Sequence, residues 1–119
     1  MGLFLWKKAQ KPPVPAVLEH IIYNTETAHK YTTTESERVF FTALDAALRS
    51  ARKSPFYSVT RMANGALSVS CCRAYLGKIK LQGHTTWMQY ITSRDVEVEE
   101  NKQLDEYVAL LKHWVKAAE

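Results

Sequence analysis

Two runs of alternating side chains in the middle of the chain limit its fold more than any other feature. Tyr57, Val59, Leu67, Val69 and Cys71 alternate with Ser58, Thr60, Ser68, Ser70 and Cys72. A period of two puts apolar groups on one side of an extended backbone and polar groups on the other, so this stretch reads as half-buried strand. A two-residue turn at Asn64-Gly65 would set Met62 opposite Leu67 and Val59 opposite Ser70, mixing the faces. A three-residue loop, Ala63-Asn64-Gly65, sets Val59 opposite Val69 and Tyr57 opposite Cys71, with glycine where a left-handed backbone is needed. The buried face decides register, so the three-residue loop is expected.

A second hairpin follows over 76–82 and 85–92, turning at Gly83-His84 with glycine at the first turn position. It pairs Leu81 with Thr86, Lys80 with Trp87, Ile79 with Met88, Lys78 with Gln89 and Gly77 with Tyr90. One face then holds Ile79, Leu81, Met88 and Tyr90, and the other Lys78, Lys80, Trp87 and Gln89.

Helical patterns bracket these hairpins. Thr34-Glu-Ser-Glu37 forms a capping box, in which hydroxyl and carboxylate satisfy the free amides of a helix start. Behind it Val39, Phe40, Ala43, Leu44, Ala47, Leu48 and Ala51 recur at helical spacing, until Ser54-Pro55 stops the helix. A charged linker over 94–100 leads to a last helix from about Asn101, with Leu104, Tyr107, Val108, Leu111, Trp114 and Val115 as its stripe. Residues 17–23 have strand composition, whereas 24–33 fit a loop or an edge strand equally well. Grouped hairpins flanked by helices give an α+β domain over 16–119, an antiparallel sheet of four to five strands packed by two amphipathic helices. Residues 1–15, ending in Lys11-Pro-Pro-Val-Pro15, read as a flexible, basic, proline-rich tail. The order of helix, antiparallel strands and closing helix resembles that of double-stranded-RNA-binding domains. Those open their last helix on a Lys-Lys-x-Ala-Lys run, where this chain carries Glu97, Glu99 and Glu100, so the resemblance extends to element order alone.

A chain of 119 residues can bury a core without metal or disulfide staples. The two cysteines are neighbours, Cys71 and Cys72, whose side chains diverge on an extended strand, which suits reduced thiols in a cytoplasmic protein. No run approaches the roughly 18 apolar residues of a membrane span. His20, His29, His84 and His113 lack metal-ligand spacing, and no nucleophile elbow or phosphate-cradling loop is present. The expectation is a non-enzymatic protein with no catalytic residues, metal or cofactor.

Charge points to what such a module would meet. Positions 54–94 hold five basic side chains (Arg61, Arg73, Lys78, Lys80, Arg94) and no Asp or Glu. The 25 residues that follow hold seven carboxylates against Lys102, Lys112 and Lys116. A one-signed surface attracts the opposite sign. Cations around a flat ring suit single-stranded nucleic acid, with phosphates on the charges and bases on the ring. The expected binding residues are Arg61, Arg73, Lys78, Lys80, His84, Trp87 and Gln89, with a cation–π contact between Lys80 and Trp87. The partner would be a nucleic acid or an acidic protein surface. A structural module that self-associates, basic sheet against acidic C-terminal segment, is the alternative; a small enzyme using His84 and a cysteine is a third reading.

Overall fold

The computed structural model describes residues 15–118 apart from position 72. The expectations for the N-terminal tail and for the divergence of Cys71 from Cys72 fall on positions 1–14 and 72, outside the described residues. Six strands, β1 (Ile22–Tyr23), β2 (Tyr57–Arg61), β3 (Leu67–Cys71), β4 (Ala74–Lys80), β5 (Trp87–Ile91) and β6 (Val96–Glu100), lie in one sheet in sequence order. All neighbours are antiparallel except β1 and β2, so the sheet is mixed. Helix α1 (Glu35–Ser50) packs on α2 (Leu104–Ala109) and α3 (Leu111–Ala117), two pieces of the closing helix that meet at Leu110, and α3 lies on β4 and β5.

The first hairpin has the register that its buried face requires. Val59 faces Val69, Tyr57 faces Cys71, and Gly65 takes φ +92° within the three-residue loop closed by Met62 N–H donating to Ala66 O at 2.8 Å. Four of the expected pairs of the second hairpin also form, from Gly77–Tyr90 to Lys80–Trp87. The fifth, Leu81 with Thr86, does not form, and the connection spans 81–86. Side chains hold that loop open. Lys80 Nζ donates to the carbonyls of Gln82 (2.8 Å) and Thr85 (3.1 Å), the Gln82 amide reaches Thr32 O and Glu37, and the Thr86 hydroxyl meets Tyr107 Oη at 2.9 Å.

The sheet is larger than expected because residues 96–100 are a strand rather than a linker. Val96 and Val98 alternate with Glu97 and Glu99, and β6 supplies partners to the outer edge of β5, pairing Gln89 with Val98 and Trp87 with Glu100. At the other edge, the strand expected over 17–23 is mostly a 3-10 turn, Ala16–Glu19, which buries Leu18 in the core. Only Ile22 and Tyr23 pair, in parallel with Thr60 and Arg61. Residues 24–33 contain a second 3-10 turn, Glu26–Lys30.

Helix α1 carries the expected capping box: Glu37 N–H donates to Thr34 Oγ1 (3.2 Å) and Thr34 N–H to Glu37 Oε1 (2.9 Å). Its buried stripe is Phe40, Phe41, Leu44 and Leu48; Val39, expected inside, is exposed. The helix ends before Ser54-Pro55, where Arg52 takes φ +59° and Lys53 N–H bonds Leu48 O at 2.8 Å. Tyr107, Leu111 and Trp114 complete the core from the closing helix, with Phe40 edge-on to Trp114 at 5.4 Å. Val108, expected inside with them, is half-buried at the margin.

Two polar details hold this core in place. A bulge lets Val69 pair with Gly77 and Ser70 with Tyr75, so that Leu76 is the extra residue. At Gly77 a Cβ would collide with Gln89 O, the carbonyl that accepts the Trp114 indole N–H at 2.9 Å. Only glycine lets the indole reach that strand. The second detail is an ion pair with no exposed atoms, Arg61 Nη1 to Glu37 Oε2 at 2.7 Å and Nη2 to Oε1 at 3.1 Å.

Gly77→Ala is therefore expected to destabilise by several kcal/mol, because main chain obstructs it, and Gly65→Val by about 1–3 kcal/mol, because a branched side chain is strained at φ +92° and meets the ring edge of Tyr31. Urea unfolding of the two variants checks the ranking. Arg61→Met strands a buried carboxylate and should cost about 3–5 kcal/mol. Adding Glu37→Gln to it should recover part of that loss in a double-mutant cycle.

Candidate binding face on the open side of the sheet

The helices all pack on one side of the sheet, and the other side remains in contact with solvent. Register fixes what it presents. One row across the strands reads Thr60, Ser68, Lys78, Gln89, Val98; the next reads Lys80, Trp87, Glu100. The bulge brings Tyr75 onto the same side, where its hydroxyl donates to Gln89 Oε1 at 2.5 Å. Burial pushes the Tyr75 phenol above its ordinary pKa, so it remains a donor at neutral pH.

Trp87 is the centre of this face. Its half-buried ring stands between two shallow hollows. One, of about 480 Å³, is lined by Lys80, Thr85, Gln89, Val98 and Glu100; the other, of about 260 Å³, runs past Lys78 to Met62, Asn64 and Asn24. The arrangement offers a flat ring, amide and hydroxyl hydrogen-bonding groups, and cations at alternate positions of one strand.

Of the seven expected residues, Lys78, Lys80, Trp87 and Gln89 share this face. Arg73 is exposed in the β3–β4 turn and His84 is exposed in the 81–86 loop. Arg61 is elsewhere. Its position in β2 points it to the helix side, where it is fully buried against Glu37, so it offers no charge to a surface ligand. The Lys80 ammonium is directed to the loop carbonyls of Gln82 and Thr85 in place of the expected cation–π contact; its charge remains, but two of its protons are engaged.

Four residues of the face escaped the sequence reading: Tyr75, Val96, Val98 and Glu100. Val96 and Val98 alternate with Glu97 and Glu99, a period-two signal that the density of carboxylates masks as a charged linker. Tyr75 depends on a bulge, which no local pattern announces. The acidic residues thus belong to the sheet itself, Glu100 beside Trp87 and Glu97 and Glu99 on the helix side, where Glu99 accepts from Tyr90 Oη at 3.0 Å.

No family model, curated protein or solved structure matches this chain. Among the described residues, no helix is long and apolar enough to cross a membrane, and no three His, Cys, Asp or Glu side chains gather as a metal site.

A surface role for Trp87 separates it energetically from Trp114. Trp114→Ala empties a fully buried site and should cost about 3–5 kcal/mol. Trp87→Ala should cost about 1 kcal/mol, since its ring already meets water on one side. Thermal melts of the two variants give the comparison.

Proposed function

We propose that this chain is a non-catalytic binding module whose open sheet face takes a polyanion, single-stranded nucleic acid being the best fit. The observation that carries the reading is the placement of Trp87, half-buried in the middle of the face with Lys78 and Lys80 on the adjacent strand. An unpaired base stacks on such a ring irrespective of sequence, while phosphates lie along the cations. Arg73, exposed in the β3–β4 turn, adds a cation beyond one end of β4, and His84, exposed in the 81–86 loop, adds a hydrogen-bonding imidazole beyond the other. Gln89 and the hydroxyls of Thr60, Ser68 and Tyr75 supply hydrogen bonds to base edges. Stacking requires unpaired bases, so the face favours single strands over duplex.

A second reading, self-association, draws on β6. Val96 and Val98 are exposed on an edge strand at 52% and 49%, and that edge is acidic where β4 is basic. An edge with free main-chain groups and bare valines invites another chain. Sedimentation across a concentration series tests it; a monomer at high protein concentration and low salt rules it out.

The nucleic-acid reading predicts binding to mixed-sequence single-stranded oligonucleotides at low salt. Removing both lysines (Lys78→Ala, Lys80→Ala) should lower the log–log salt slope by about 0.7 for each phosphate that no longer meets an ammonium group. Trp87→Ala should weaken binding by about 1–3 kcal/mol with the slope unchanged, because stacking releases no counterions. Wild-type protein that shows no binding to single strands at low salt ends this reading.

A further inference from the structure

The sheet ends at β6, and among the described residues no strand pairs with its outer edge. The ladder to β5 shows which main-chain groups that edge presents. Thr92 N–H donates to Asp95 O at 2.8 Å, and Asn101 N–H donates to Thr86 O at 2.9 Å. Bonded positions alternate along an antiparallel pair, so Glu97 and Glu99 turn their main-chain groups to β5 while Val96, Val98 and Glu100 turn theirs outward. The Val96 N–H is already taken, by Asp95 Oδ1 at 2.9 Å. The N–H and C=O groups of Val98 and Glu100 have no partner among the described residues. Asn101 takes φ +56° and turns the chain out of the extended region, so the open edge stops at Glu100.

Side chains decide what can pair there. Val96 and Val98 stand bare on the open side of the sheet with Glu100 after them, while Glu97 and Glu99 stand on the other side. From Asp95 to Glu100 the strand holds four carboxylates and no cation; Arg94 and Lys102 lie beyond its two ends. Among the described residues none of Glu97, Glu99 and Glu100 forms an ion pair. A neighbouring strand would run about 5 Å away. At that distance directly opposed like charges destabilise and opposite charges stabilise. A second copy of β6 would bring glutamate against glutamate, whereas a basic strand would give each carboxylate a counter-charge.

We propose that the β6 edge takes an extended segment of another protein as an added antiparallel strand, apolar opposite Val96 and Val98 and basic opposite Glu97, Glu99 and Glu100. Main-chain bonds to Val98 and Glu100 hold the segment, and the charges set its register. The edge is separate from the strip of Lys78 and Lys80, so the inference holds whether or not the open face takes a polyanion.

The test uses the full chain and the end-capped peptide Thr-Lys-Lys-Val-Lys-Val-Thr, titrated at low salt and followed by NMR. The expected result is saturable shifts at 96–100, with the amides of Val98 and Glu100 exchanging more slowly once they gain acceptors. Peptide N-methylated at its two valines, whose amides would face β6, should not bind. N-methylation at the two lysines opposite Glu97 and Glu99 should leave binding in place. Val98→Pro removes an outward N–H, spares the bonds to β5 and should weaken binding about tenfold. Glu97→Lys should weaken it about fivefold. The proposal is overturned by an absence of saturable shifts at millimolar peptide, or by binding that survives methylation of the valines. Equal binding of the scrambled Thr-Val-Val-Lys-Lys-Lys-Thr also overturns it, because charge alone would then suffice. So does a concentration-dependent dimer of the chain alone that protects the Val98 and Glu100 amides, since a second copy would then cover the edge.

Discussion

One carboxylate, that of Glu37, ties together the start of α1, the end of β2 and the loop between β4 and β5. It caps α1 through Thr34, pairs with Arg61 at the end of β2, and accepts from Gln82 in the loop between β4 and β5. Gln82 also holds Thr32 O, and Arg61 holds Gly65 O, so the loops at one end of the sheet converge on a single buried charge pair. Taking two charges out of water is expensive, and the pair's own attraction roughly offsets that cost when every remaining lone pair and proton is used. Here one donor, Arg61 Nε, has no partner. The pair is better understood as fixing geometry than as adding net stability. It fixes where the first helix begins relative to the sheet and, through Gln82, holds the 81–86 loop open.

That dependence explains which parts of the fold were legible in the sequence and which were not. Register in the first hairpin was legible because a single slip would move Val59 and Val69 to different faces, and only one loop length avoids it. The capping box was legible because it is complete within four residues. The second role of Glu37 was not, since a capping carboxylate and a buried ion-pair partner look alike in a local window, and Arg61 lies 24 residues away. Arg61 was accordingly read as a surface cation. Two-residue turn chemistry at Gly83-His84 was also sound locally, and Gly83 does take φ +101°, but long-range bonds from Gln82 and Thr86 widened the loop.

The candidate face was legible to the extent that it rests on strand alternation. Lys78, Lys80, Trp87 and Gln89 come together because the β4–β5 register is set by Ile79 against Met88 on the buried side. What surrounds them was hidden by two irregularities, the bulge that delivers Tyr75 and the acidic strand read as a linker. The contrast between a basic middle and an acidic end is real in the sequence, but in three dimensions it becomes a gradient across one sheet, from the lysines of β4 to the glutamates of β6.

That gradient bears on both readings of the face. If β6 paired antiparallel with its own copy about Val98, Glu97 would lie opposite Glu99 and Val96 opposite Glu100. Like charges directly opposed across strands are destabilising, so the carboxylates act against the symmetric edge-to-edge dimer that a bare strand would otherwise invite. Self-association would have to run head to tail, basic strand to acidic edge, and such contacts build open chains unless the rotation closes a ring. For a polyanion the same carboxylates set a boundary. On the proposed reading, phosphates would gain by lying over the lysines of β4 and lose by approaching Glu100, which would confine the strand's path to one side of Trp87 and leave Val96 and Val98 outside its charged footprint. The indole then has a different neighbour on each side, ammonium groups towards β4 and a carboxylate towards β6. A base stacked on it would be approached by its own phosphate from the β4 side only, which would give a bound strand a preferred position without any contact that reads sequence.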